Sequence, residues 1–217
     1  MDDYLYIIMC GGTYKKWETP RQLTEINGES IVARTIRLLR ENGIENIAIS
    51  SNTRNFDDFY LPVLTHKNDY VARGCDDTDG YWCDGFYPIK RGRVCYLFGD
   101  VVFSPEAIKT IVETEVDSIQ FFASAPPFSP QYSKKWAEPF ALKVNDVDLF
   151  RKAIDKCKDF QDLGKFDRKP IMWELWQIIK ETPINHIDFT NYKVINDYTC
   201  DIDNPEDIKF FEDLLND

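Results

Sequence analysis

Residues 4–10 (YLYIIMC) form a near-continuous apolar run that ends at Gly11-Gly12. A strand with one wet face would alternate apolar and polar side chains, and this one does not. It suits a strand buried on both faces, as in parallel sheets covered by helices on each side. The next segment supplies such a cover. Residues 30–43 (SIVARTIRLLRENG) place Ile31, Ala33, Ile36, Leu38 and Leu39 near one helical face and stop at Asn42-Gly43, a suitable C-terminal signal. NIAISS at 46–51 then reads as a second strand, so the chain opens with a strand–loop–helix–strand unit whose crossover is expected to be right-handed.

The pattern repeats to the end. Strands are predicted at 61–65, 93–98, 118–123 and 140–144, and helices at 147–160 and 171–180. Ser104-Pro105 opens another helix with a capping hydroxyl and a proline at its first position, and Asn204-Pro205 opens a last one with Phe210, Phe211, Leu214 and Leu215 on its apolar face. No repeat or flexible linker intervenes, and 217 residues with 43% apolar content suffice for one α/β domain over 1–217. The least regular stretch, 69–90, is rich in Asp, Gly, Tyr and Trp; loops of that length are usually functional or disordered, and its aromatic content favours function. No run is long and apolar enough to span a bilayer, and no leader-like segment opens the chain, so a cytoplasmic protein is expected. Six scattered cysteines without C-x-x-C spacing, and two histidines, argue against zinc and for reduced, buried thiols.

A formal charge of −11 repels polyanions and argues against nucleic acid as a partner, because such binding rests on clustered cations. A phosphorylated ligand then requires a local basic cluster, and residues 11–23 (GGTYKKWETPRQL) contain one. Two glycines after a buried strand let backbone N–H groups approach an anion, and Lys15, Lys16 and Arg21 add charge to the same loop. Neither the P-loop nor the three-glycine dinucleotide pattern is present. Asp100, after Gly99 at the end of a central strand, sits where open α/β sheets place ligands and suits a divalent cation with oxygen ligands. Asp201 and Asp203 in CDIDNPED are two apart, so on extended backbone they share a face and can contribute to the same cation. Asn204, Pro205, Glu206 and Asp207 also make a helix start.

These markers resemble the nucleotidyltransferases that include sugar-phosphate nucleotidyltransferases, small cytidylyltransferases and molybdenum-cofactor guanylyltransferases. Their signature runs Gly-Gly-x-x-x-Arg, then five positions with Lys at the last, then Leu. Here Gly11, Gly12, Pro20 and Leu23 match, Lys16 stands at the Arg position and Arg21 at the Lys position. Tyr14 replaces a small residue. Asn27-Gly28 before the first helix, Gly99-Asp100, and DIDNPED follow in the family's order.

The resemblance implies an α/β fold, a Rossmann-like three-layer α/β/α sandwich with a mixed, mostly parallel sheet. It also implies transfer of a nucleoside monophosphate from a triphosphate to a sugar-, polyol- or amino-alcohol-phosphate with release of pyrophosphate. Lys16 and Arg21 would be catalytic. Cys10, Gly11, Gly12, Thr13, Tyr14, Asn52 and Gly99 would hold the nucleotide, CTP or GTP in preference, and Asp100, Asp201 and Asp203 would hold Mg²⁺. Trp136, Glu138 and Lys143 fall in the region that binds the acceptor. Trp173 and Trp176, three apart on a helix, read as packing residues. Two other readings compete: a glycosyltransferase of related fold, against which stands the absence of an Asp-x-Asp pair midway along the chain, and a nucleotide-binding relative without activity.

Overall fold

The computed structural model describes residues 4–12, 17–68, 80–125 and 137–215. Residues 13–16, 69–79 and 126–136 lie outside it, and with them Thr13, Tyr14, Lys15, Lys16, Cys75 and Trp136. The central sheet has seven strands: β1 (Tyr4–Met9), β4 (Ile47–Ser50), β5 (Val63–Leu64), β6 (Arg93–Phe98), β8 (Ile119–Ala123), β9 (Pro139–Val144) and β10 (Lys193–Val194). Their order is β10-β8-β9-β6-β1-β4-β5. Strands β6, β1, β4 and β5 run parallel to one another, and β9 runs antiparallel to both its neighbours. This is the mixed, mostly parallel sheet of a Rossmann-like α/β/α sandwich.

The apolar first strand explains the layers. Tyr6 and Ile8 point to one core, with α1 (Ile31–Glu41), α2 (Pro105–Glu113) and α5 (Glu206–Leu215) over it. Ile7 points to the other, under α3 (Val147–Asp162) and α4 (Met172–Ile179). The period of two on a strand buried on both sides feeds both cores. Helix starts fall where the sequence places them. The Ser30 and Ser104 hydroxyls accept from the N–H groups of Ala33 and Ala107, and Pro105 stands in the first turn of α2. Asn27 and Gly28, with φ of 53° and 81°, make the tight turn of a two-residue hairpin, β2 (Glu25–Ile26) and β3 (Glu29–Ser30), the left-handed pair that Asn-Gly favours. Trp173 and Trp176 are buried, their indole N–H groups donating to the carbonyls of Ala137 and Thr190. The described cysteines are buried and form no disulfide, and among the described residues no helix is long and apolar enough to cross a membrane.

The direction of β9 separates two residues that the sequence reading grouped together. Running antiparallel to β6, it starts at the C-terminal mouth of the parallel strands and ends at the opposite edge. Glu138 precedes its first residue; Lys143 is next to last, roughly 16 Å away at about 3.3 Å per residue. Lys143 is therefore not at the mouth with Glu138. It is 3% exposed, and its ammonium donates to the carbonyls of Ile111, Val112 and Thr114 at 3.2, 2.8 and 3.0 Å, closing the C-terminus of α2 while lying over the Tyr4 ring. Three donors meet three carbonyls that the helix end leaves open. Lys143→Ala is expected to lower stability by about 3 kcal/mol and leave the Michaelis constants unchanged; denaturant unfolding and steady-state kinetics check both halves.

Candidate active site

The mouth is assembled from four segments. The first is the turn after β1. Gly12 has φ of 91°, a conformation open to glycine at little cost, two residues after Cys10, whose N–H is tied to the Ser50 carbonyl. The second is Gly99-Asp100 after β6. A β-carbon on Gly99 would lie 2.5 Å from the Met9 carbonyl oxygen and 2.9 Å from the Cys10 sulfur, so Gly99 is required by close packing of two strand ends. Gly99→Ala should cost about 2–3 kcal/mol through overpacking against backbone, read as a shift in the denaturant midpoint.

The third segment is the C-terminal return. β11 (Cys200–Asp201) pairs antiparallel with β7 (Val101–Val102), and the Ile202 N–H donates to the Asp100 carbonyl. Asp201 and Asp203 thereby arrive beside Asp100. Asp207 accepts from the N–H groups of Asp203 and Asn204, holding the turn that leads into α5. The fourth is Glu138 before β9, locked to the end of β8 by reciprocal bonds: the Ser124 hydroxyl accepts from the Glu138 N–H, and the Ser124 N–H donates to the Glu138 carbonyl.

Arg21 joins the first segment to the others. It is 5% exposed, begins a short 3-10 turn after Pro20, and forms an ion pair with Asp100. It also donates to Asp203 at 3.2 Å and to the Ile202 carbonyl at 2.8 Å. The planar fork of a guanidinium serves several oxygens at once, which lysine at this position would do less well.

Glu138, Asp201 and Asp203 each place a carboxylate oxygen within 4.8 Å of the others. Octahedral Mg²⁺ with bonds of about 2.1 Å needs oxygens about 3–4 Å apart, so a small approach of these hard donors would fit the ion. Asp100 is outside this trio because its carboxylate is turned to Arg21. Met9, Gly11, Arg21, Gln22, Trp82, Phe98, Asp100, Glu138, Asp201 and Asp203 line one cavity of about 240 Å³, with Gly85, Pro139 and Ile171.

Cys10 is buried and does not line this cavity; burial, and secondarily the Asp100 charge, pushes its thiol well above the usual range. It is thus a neutral packing group. Asn52 is exposed in the loop after β4 and does not line the cavity.

Gln22 and Trp82 are among the lining residues that escaped the sequence reading. Gln22 carried no signal beyond its place after Arg21, yet it is 2% exposed and donates to the Gly11 carbonyl at 3.2 Å. Trp82 lies within the irregular segment 69–90 and packs at 5.9 Å against Phe98 and 5.5 Å against Phe86; only the aromatic content of that segment hinted at it.

No family model and no curated protein matches the sequence. Solved structures do match in fold. The inositol-1-phosphate CTP transferase of T. maritima aligns with a TM-score of 0.60 and 14% identity over 97% of this chain and 96% of that one. The CTP:phosphocholine cytidylyltransferase of Streptococcus pneumoniae aligns at 0.56 and 15%, over 99% and 100%. HddC of Yersinia pseudotuberculosis, solved with GMP-PN, aligns at 0.56 and 14%, over 99% and 100%. The chain has the fold of these proteins along its whole length.

Proposed function

We propose that this protein is a Mg²⁺-dependent nucleotidyltransferase that moves a nucleoside monophosphate from a triphosphate, CTP or GTP in preference, to a small phosphorylated metabolite. The observation that carries this reading is the meeting, in one cavity at the sheet's mouth, of a glycine turn, a buried arginine and four carboxylates, on a fold shared with nucleotidyltransferases. In the reaction, a phosphate oxygen of the metabolite attacks the α-phosphorus of the triphosphate. A new P–O bond forms, the bond from the α-phosphorus to the bridging oxygen breaks, and pyrophosphate leaves with the electron pair. The nucleophile is already ionised, so positioning and charge neutralisation matter more than a general base.

Asp201 and Asp203, with Asp100 beside them, would hold Mg²⁺, whose bound form supplies charge neutralisation and a common template for both phosphates. Arg21 is the described cation at the phosphates; Lys16, assigned from sequence, would act on the leaving pyrophosphate. Gly11 and Gly12 bring backbone N–H groups to the triphosphate. The test is pyrophosphate release with each of the four triphosphates, Mg²⁺ and a panel of phosphorylated sugars, polyols and amino-alcohols. Release that requires both a triphosphate and an acceptor supports the reading, and no release with any pair refutes it.

A further inference from the structure

Resting on that reading, we infer that Gln22 is a positioning residue: its amide holds the peptide between Gly11 and Gly12 in the orientation that offers the Gly12 N–H to the triphosphate. Gln22 is 2% exposed and lines the cavity, and its side-chain N–H donates to the Gly11 carbonyl at 3.2 Å. A trans peptide is planar, with its C=O and N–H on opposite edges. A bond that fixes the Gly11 carbonyl therefore fixes the direction of the Gly12 N–H as well. This peptide needs such a hold, because it joins two glycines, the residues least restricted in backbone rotation, and Gly12 sits at φ of 91°. Turned over, the same peptide would present a carbonyl oxygen where phosphate oxygens are to bind, and repel them.

The hydrogen bonds at the turn agree. The Gly11 and Gly12 N–H groups meet no acceptor among the described residues, although Gly12 is buried. A buried backbone donor in that state is rare, and the oxygen of an anion satisfies it. The other end of the Gln22 amide points the same way. Its oxygen is buried and has no donor among the described residues, so the amide buries an unmet acceptor in order to make one bond. Methionine, of similar length and apolar, would fill the space without that penalty. The bond's effect therefore lies in the orientation of the turn and not in the stability of the fold.

Its place in the chain completes the argument. Gln22 follows Arg21 in the same short 3-10 turn, Arg21–Leu23. Arg21 is bonded to Asp100, Asp203 and the Ile202 carbonyl, while Gln22 is bonded to the glycine turn after β1. Two adjacent residues thus hold the cation and the backbone donor of the site in a fixed relation, the preorganisation that charge stabilisation requires. Arg21, and Lys16 as assigned from sequence, attract phosphates whatever the state of the peptide. Loss of the Gln22 bond therefore weakens triphosphate binding without abolishing it.

The experiment titrates CTP and GTP, with Mg²⁺ and no acceptor, into the protein labelled with ¹⁵N at glycine, and follows the Gly12 amide by NMR beside calorimetric binding and denaturant unfolding. In the unaltered protein the Gly12 amide proton should move downfield on saturation with the triphosphate that binds. In Gln22→Met that shift should be lost and Kd should rise about tenfold or more, the loss expected for a hydrogen bond to a charged group, while the unfolding midpoint stays the same or rises. A Gly12 amide that does not respond to a bound triphosphate overturns the inference, as does wild-type affinity in Gln22→Met. A variant that fails to fold, or whose affinity falls only with a matching loss of stability, makes Gln22 a packing residue and overturns it too. Each of these leaves the transferase reading standing; an unaltered protein that binds no triphosphate removes that reading itself.

Discussion

Arg21→Ala is expected to abolish turnover and to lower stability by about 3 kcal/mol, a drop of roughly 6–12 °C in Tm for a domain of this size. The two effects have one origin. The guanidinium is 5% exposed and its partner Asp100 is 16% exposed, so removing the cation strands a largely buried carboxylate. The same change removes the cation proposed to meet the phosphates, so kcat should fall and KM for the triphosphate should rise together. The double variant Arg21→Ala/Asp100→Asn separates the roles. Deleting both charges should recover most of the lost stability and none of the activity, a coupling that a thermodynamic cycle measures directly. Full recovery of activity in the double variant would mean that Arg21 merely neutralises Asp100. Asp100→Asn alone should also destabilise, because it leaves Arg21 with less countercharge. Loss of activity in that variant therefore has to be read beside its unfolding curve.

Asp201→Asn should cut turnover on the order of a hundredfold or more, since a bound metal contributes several kcal/mol to the transition state. Its readout need not be activity. Mn²⁺ binding, followed by paramagnetic relaxation of water protons, should weaken at least tenfold. Folding should be preserved, because the pairing of Asp201 with Val101 is made by backbone and its side chain is half-buried. Asp203→Asn should weaken Mn²⁺ similarly but also loosen Arg21, whose 3.2 Å bond it accepts. Unchanged Mn²⁺ affinity in both variants would remove the metal from this corner of the cavity.

Much of this arrangement is legible in the sequence wherever a local rule decides the outcome. The apolar run 4–10, the Asn27-Gly28 turn, the Ser30 and Ser104 caps and the strand at 93–98 all appear in the structure within a residue or so, because each is fixed by neighbours in the chain. The convergence of Asp100 with Asp201 and Asp203 on one cavity follows from strand ends and motif order. What stayed hidden depends on partners far away. Nothing in FALKV reveals that β9 runs antiparallel, so Glu138 and Lys143 look like neighbours at one site when the strand carries them to opposite edges. Gln22 looks like any polar residue in a loop until packing buries it, and Arg21 looks like a phosphate ligand alone until the return of the chain gives it Asp203 and the Ile202 carbonyl.

That return has a consequence for synthesis. Arg21 and Ile202, joined by a 2.8 Å bond, are 181 residues apart in sequence, so the segment that completes the cavity leaves the ribosome long after Arg21 does. Closing so long a loop carries an entropic cost that grows slowly with length but must be met before the contact repays it. A nascent chain can lay down β1, β4 and β6 early, yet it carries an arginine without its C-terminal carboxylate and carbonyl partners until Ile202 and Asp203 emerge. Nucleotide binding should accordingly appear only once Ile202 and Asp203 have emerged, as a single step rather than by degrees, and stalled chains ending before residue 200 should retain most of the sheet while failing to bind triphosphate.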